Sequence, residues 1–219
     1  MRALCLLLLA AGIAAGDWTE TQKRFKESYR DGAPPAERHA ALVEVAKADV
    51  PEAAELLFTV WDRLEEEITR LRKDLHDVRA KARVFRVRAR TDPAKVDPEA
   101  LRALERRDGE LDARLGALEL ERSAIVDGVA AWKAPATLDW LRDKGLSHAR
   151  SPALLRVVAE RVAGGADGGM AAVLAAIEKT RDAAASVALL DAAAAEGDRI
   201  GAPRAPFEPP PEVRARRRG

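Results

Sequence analysis

Leu57, Trp61, Leu64, Ile68, Leu71, Leu75, Val78, Ala82, Phe85 and Ala89 follow one another at alternating steps of four and three residues. Two apolar positions in every seven make the narrow stripe of a coiled-coil seam rather than the broader face of a globular helix. The stripe stops where Pro93 and Pro98 fall close together. Proline disfavours helix in the residue before it, so the first helix is predicted to end near Arg90. Asp97 then offers a side-chain acceptor at an N-cap, and Pro98 suits the first helical position, where no amide hydrogen is missed. Leu101, Leu104, Asp108, Leu111, Leu115, Leu118, Arg122, Ile125, Val129 and Trp132 resume the spacing with two polar members. Two matched seams joined by a short turn predict a long antiparallel coiled-coil hairpin over residues 57–132. Each arm would reach roughly 55 Å at about 1.5 Å per residue.

The edges of the seam carry opposite charges. Arg72, Arg79 and Arg86 flank one arm, and Glu105, Asp112 and Glu119 occupy the matching flank of the other. A slip of one heptad keeps most of that match, so these charges support antiparallel pairing without choosing its register. On the other edge Lys81, Arg88, Arg107 and Arg114 are relieved only by Asp74 and Glu121. This basic stripe is the candidate interaction surface, set against the plainer reading of a solvated edge. The polar seam members Asp108 and Arg122 can serve as register or oligomer-state devices at a cost in stability. Arg122 is expected to lay its stem along the seam and hold its guanidinium in water near Glu65, Glu66, Glu67 and Glu121. Gly109, Gly116 and Gly128 weaken the second arm by roughly 1 kcal/mol each relative to alanine.

Outside the hairpin the chain reads as short amphipathic helices with polar breaks. Asp17 is expected to cap a helix running to about Arg30, stopped by Asp31-Gly32. Pro34 and Pro35 open a second helix, and Asp49 precedes a third start at Pro51. The run Ala40-Ala41-Leu42-Val43-Glu44-Val45-Ala46, an aspartate, and the proline-initiated Pro51-Glu52-Ala53-Ala54-Glu55-Leu56-Leu57 resemble a HEAT-type helical repeat over about 30 residues. After Trp132, a short helix from Pro135 closes at Gly145. Ser151-Pro152 reads as a capped start, the Gly164-Gly165 and Gly168-Gly169 pairs as a linker, and Asp182 as the opening of a last helix that ends before Gly197. These helices also look like HEAT-type units. The expected fold is therefore all-α, a small HEAT-like body made by residues 17–56 and 133–198 from which the hairpin projects, with Trp61 and Trp132 near its base. Residues 199–219, rich in proline and arginine, cannot bury enough apolar area to order themselves and read as a disordered basic tail.

Composition adds a location and removes some chemistry. Residues 1–16 combine Arg2, an apolar core and small residues at Ala14-Ala15-Gly16, the three-part pattern of a secretory signal peptide. Export to the periplasm or outside the cell follows as the expectation. Its removal would take Arg2 and bring 37 basic residues level with the 36 acidic ones, so bulk attraction to nucleic acid is not expected. It would also take Cys5, the one cysteine, and with it any disulfide or thiolate metal site. His39, His76 and His148 stand far apart without a ligand-type neighbour, and the glycine-rich stretch lacks the lysine of a phosphate loop. No cofactor, metal or catalytic set is assigned. The expected function is that of a non-enzymatic exported scaffold or adaptor, with protein partners that include acidic surfaces, an association with the cell envelope, and homo-oligomers left open. The alternative is a periplasmic holdase-like chaperone with coiled-coil arms.

Overall fold

The computed structural model describes residues 14–92, 97–149 and 151–199. All regular structure among them is helical. Contacts divide the chain between Trp140 and Leu141 into two units.

The first unit comprises α1 (Ala14–Ser28), α2 (Pro35–Lys47), α3 (Pro51–Thr91), α4 (Pro98–Ala131) and the short α5 (Pro135–Trp140). Most limits fall where the proline rules put them. Pro35, Pro51 and Pro98 each start a helix at a position where the missing amide costs nothing. Asp97 caps α4, its Oδ1 accepting from the Glu99 amide at 2.9 Å. One start differs from expectation. The helix around Asp17 begins at Ala14 and runs through that residue, and most of the sixteen-residue leader lies outside the described residues. Asp49, in the connection before α3, turns its Oδ2 to the Lys133 and Ala134 amides and accepts from them at 2.5 and 2.7 Å.

α3 and α4 run antiparallel. Arg72 bonds Glu119 at 2.6 Å, Arg79 bonds Asp112 at 2.8 Å, and Arg86 bonds Glu105 at 3.0 Å. Each step of seven up α3 is a step of seven down α4. Every seam residue described is buried or half-buried, from Leu57 to Ala89 on α3 and from Leu101 to Trp132 on α4. Near the start of α3 the buried set is broad and includes Ala53, Ala54, Phe58 and Val60 as well as the seam, because α2 and α5 also pack there. From Leu71 onward it narrows to the seam positions Leu71, Leu75 and Ala82.

What selects the register is α2. Gly128 of α4 lies so close to Ala46 that an added Cβ would stand 2.4 Å from the Ala46 Cβ. Beside it, buried Trp132 donates its indole N–H to the Ala46 carbonyl at 2.8 Å. A one-heptad slip moves α4 by about 10 Å and takes both residues off this seat. Exposed ion pairs contribute about 0.2–1 kcal/mol each, so they follow the register that the seat imposes.

The second unit begins with a π-helical turn (Leu141–Gly145) and the single turn α6 (Leu146–His148). It continues through α7 (Pro152–Gly165), α8 (Gly169–Lys179) and α9 (Ala183–Arg199). Leu154, Leu155, Val158 and Val162 of α7 are buried with Val173 of α8 and Ala188, Leu189 and Ala192 of α9. The glycine linker is tight. Gly168 has φ +66, and a Cβ on Gly169 would stand 1.8 Å from the Val162 carbonyl oxygen. Asp182 caps α9 through the Ala185 amide at 2.7 Å. Ser151 makes no such side-chain bond to α7, and Gly197 lies inside α9 rather than ending it. Arg199, the first residue of the predicted tail, is the last of α9, and the rest of that tail, from residue 200, lies outside the described residues.

Opposite glycine responses test this packing. Gly128→Ala should lower unfolding free energy by about 1–3 kcal/mol through overpacking against Ala46. Gly109→Ala and Gly116→Ala, whose added methyls meet nothing within 4 Å, should each raise it by roughly 0.5–1 kcal/mol. Urea titration of the three variants reads both signs. A stabilised Gly128→Ala protein would contradict the seat.

Candidate interaction surface

The four residues of the expected basic stripe do not share one environment. All are exposed. Arg114 turns across to Glu67 on α3, its Nε at 3.0 Å, and Arg107 bonds Glu110 within α4 at 3.3 Å. Continuing by heptads from the Glu67–Arg114 pair brings Asp74 level with Arg107 and Ala100 level with Lys81. The stripe therefore breaks in two, with an acid-matched part on α4 and an unmatched part on α3. The side chains of Lys81 and Arg88 have no hydrogen-bond or ion-pair partner among the described residues. Neither do those of Arg83 and Arg90, two helix positions round from them.

Residues 79–90 of α3 contain six cationic side chains and no acid. Arg79 and Arg86 are matched by α4, since Arg79 also bonds Asp108 at 2.7 Å. The other four are not matched. Between them Val84 and Val87 are 49% and 56% exposed, the helix presenting two valines outward with Lys81 and Arg88 on one flank and Arg83 and Arg90 on the other. A sequence signal for the second flank exists in Arg72, His76, Arg79, Arg83, Arg86 and Arg90, which recur at steps of four and three beside the seam.

Two residues sit differently from expectation, Glu121 because α1 and α2 cover its side of α4, and Arg122 because Trp61 and Glu65 of α3 take up its side chain. Glu121, expected to relieve the basic stripe, is 1% exposed. Its Oε2 accepts from the Tyr29 hydroxyl at 2.8 Å and from Arg38 at 3.0 Å. The Arg38 guanidinium also lies over the Tyr29 ring, which stacks on Phe25. Burial, partly offset by the hydrogen bond from Arg38, holds the Tyr29 phenol well above its usual range. Arg122 does not carry its guanidinium out to water. It lies 4.9 Å over the Trp61 ring, with Glu65 at 3.2 Å and Glu119 at 3.1 Å, and is largely buried. A cation over an indole face is attracted by the ring quadrupole, and Trp61 offers that face at the one seam position occupied by an arginine.

The second unit holds a cleft of about 720 Å³ floored by residues such as Leu155, Ala176 and Ala185. Much of its polar lining is engaged within the unit. Asp182 caps α9, the Ser147 hydroxyl donates to the Lys144 carbonyl, and Arg142 binds Asp143 and the Asp167 carbonyl. Among the described residues no three histidine, cysteine or carboxylate side chains gather as metal ligands would. No described helix is long and apolar enough to cross a membrane. Comparison with family models, with curated proteins and with solved structures gives no match.

Two measurements check the buried cluster. Removing one partner of a buried ion pair strands the other, so Glu121→Ala should cost about 3 kcal/mol of stability, read by urea unfolding. Tyr29 is the one tyrosine, so phenolate absorbance reports it alone. A folded-state pKa raised above the ordinary value of about 10 contributes stability below that pH and loses it as pH climbs toward the folded value. Phenolate should therefore appear later than in free tyrosine and together with loss of helicity. Ordinary titration of an intact fold would contradict the cluster.

Proposed function

We propose that the chain is an exported, non-enzymatic scaffold or adaptor whose α3–α4 pair works as a coiled-coil hairpin. In this reading its distal end carries one contact and the shorter helices, as HEAT-type units, carry another. The observation that supports it is the unmatched quartet Lys81, Arg83, Arg88 and Arg90 on a stretch of α3 whose burial has narrowed to a seam. A long helical pair supplies reach, at roughly 1.5 Å for each residue added. Charges that the fold leaves unpaired steer encounter and select partners of opposite sign. The partner is an anionic surface, an acidic protein face being the form that a protein scaffold meets. The leader pattern of residues 1–16 supports export, with the cell envelope as the site of contact in this reading.

The test is crosslinking and capture from the envelope fraction of the native host, with the full chain as bait. Reversing Lys81, Arg83, Arg88 and Arg90 to glutamate should leave helicity intact and reduce capture at least tenfold, a loss of about 1.4 kcal/mol or more. Unchanged capture would end the adaptor reading of the distal end. Suppressed aggregation of an unfolded client would move the assignment to a holdase.

A further inference from the structure

The unmatched cations lie on two flanks of α3, and one flank is also a groove. Two adjoining hollows of about 420 and 380 Å³ run along the edge that carries Arg72, Arg79 and Arg86, and they share Arg79 and Arg83 in their walls. Leu75, Ala80, Ala82 and Val87 of α3 and Leu115 of α4 supply the apolar lining. Arginines rim the hollows from Arg72 to Arg90, about 27 Å of helix, and Asp108 is the one acid in either lining.

Charge is unevenly spent along this edge. Arg72, Arg79 and Arg86 point to α4 and are matched by its acids. Arg83 and Arg90 are seven residues apart, one above the other on the same helix face, and neither has a partner among the described residues. Val87 lies between them and is 56% exposed. A helix that sets acids at positions i and i+7, with an apolar side chain between them, would meet this row of Arg83, Val87 and Arg90 residue for residue. Laying a third helix into the groove of a helix pair is a recurrent mode of recognition, with apolar anchors giving adhesion and flanking charges giving orientation.

We propose that the Arg72–Arg90 edge is a docking groove for an acidic amphipathic helix of a partner protein, anchored by Arg83, Val87 and Arg90. The proposal deepens the adaptor reading and rests on it, choosing one flank and one form of acidic partner. Lys81 and Arg88, on the other flank, then serve long-range attraction and make no contact in the docked state.

A synthetic helical peptide about 20 residues long, roughly matching the groove, with glutamates seven apart and leucine between them on one face, tests the proposal directly. Its binding to the full chain is followed by fluorescence anisotropy, beside a scrambled peptide of the same composition whose acids share no face. The ordered peptide should bind the wild-type chain and lose about tenfold or more in affinity on Arg83→Glu with Arg90→Glu, while Lys81→Glu with Arg88→Glu changes little. Val87→Asp should weaken it as well, with circular dichroism showing the helices retained. Equal binding of the scrambled peptide, or equal loss from both pairs of reversals, would reduce the groove to general attraction and overturn the proposal. Failure of the peptide to bind, while envelope capture still depends on the four cations, would overturn the groove and leave the adaptor reading standing. Loss of that dependence would remove the adaptor reading itself.

Discussion

The seat of α2 on α4 is the contact from which the first unit takes its form. Gly128 admits the Ala46 backbone to a distance that a side chain would forbid, and Trp132 fastens the same point with a hydrogen bond to the Ala46 carbonyl. Only two residues separate α2 from the capping position of α3, so fixing α2 on α4 fixes α3 against α4 as well. Asp49, in that short connection, holds the amides just past the end of α4. The seam then closes outward from a register already chosen. A heptad repeat alone is degenerate under seven-residue slips, and the seat removes the degeneracy.

From this follows a gradient along the pair. At the base, a broad face of α3 is covered by α2, α4 and α5, with Trp61, Leu64 and Ile68 nearly inaccessible. Full burial of such a side chain contributes about 1.5–3 kcal/mol. Farther out, Val78, Phe85 and Ala89 of α3 and Leu101 and Leu104 of α4 are only half-buried. Exposed ion pairs there are each worth a few tenths of a kcal/mol. Cohesion falls as unmatched positive charge rises, so the end suited to contact is also the end that yields most readily to a partner.

The inward positions of α3 and α4 and most helix limits were legible because both depend on order along the chain. Four-and-three spacing picked out positions that are all buried or half-buried, and prolines at 35, 51 and 98 marked three helix starts. Less legible was anything decided by a third element. Glu121 and Arg114 share an edge in the heptad pattern, yet one is buried by α1 and α2 and the other reaches Glu67. Arg122 looked like a side chain bound for water until Trp61 and Glu65 were placed around it. The basic stripe was grouped by edge for the same reason, and the edge alone does not tell that Arg107 and Arg114 have acidic partners while the side chains of Lys81 and Arg88 have none among the described residues. Arg83 and Arg90 were passed over because attention to the two positions beside the seam leaves out the next row, although the spacing from Arg72 to Arg90 records it.

Pairing of α3 with α4 inside one molecule, in the register set at Ala46, is what all of this requires. Ala80 and Ala113 are exposed, make no side-chain bonds, and lie within about one heptad, roughly 10 Å, of each other along the pair. With Cys5 replaced by serine, nitroxides at those two positions in dilute protein report their separation by pulsed electron resonance. A single narrow distribution at roughly 20–30 Å, unchanged on dilution with unlabelled chain, is the expected result, given helix axes about 10 Å apart and outward labels. A distribution centred near 50 Å, the rise of 33 residues along one straight helix, would contradict it.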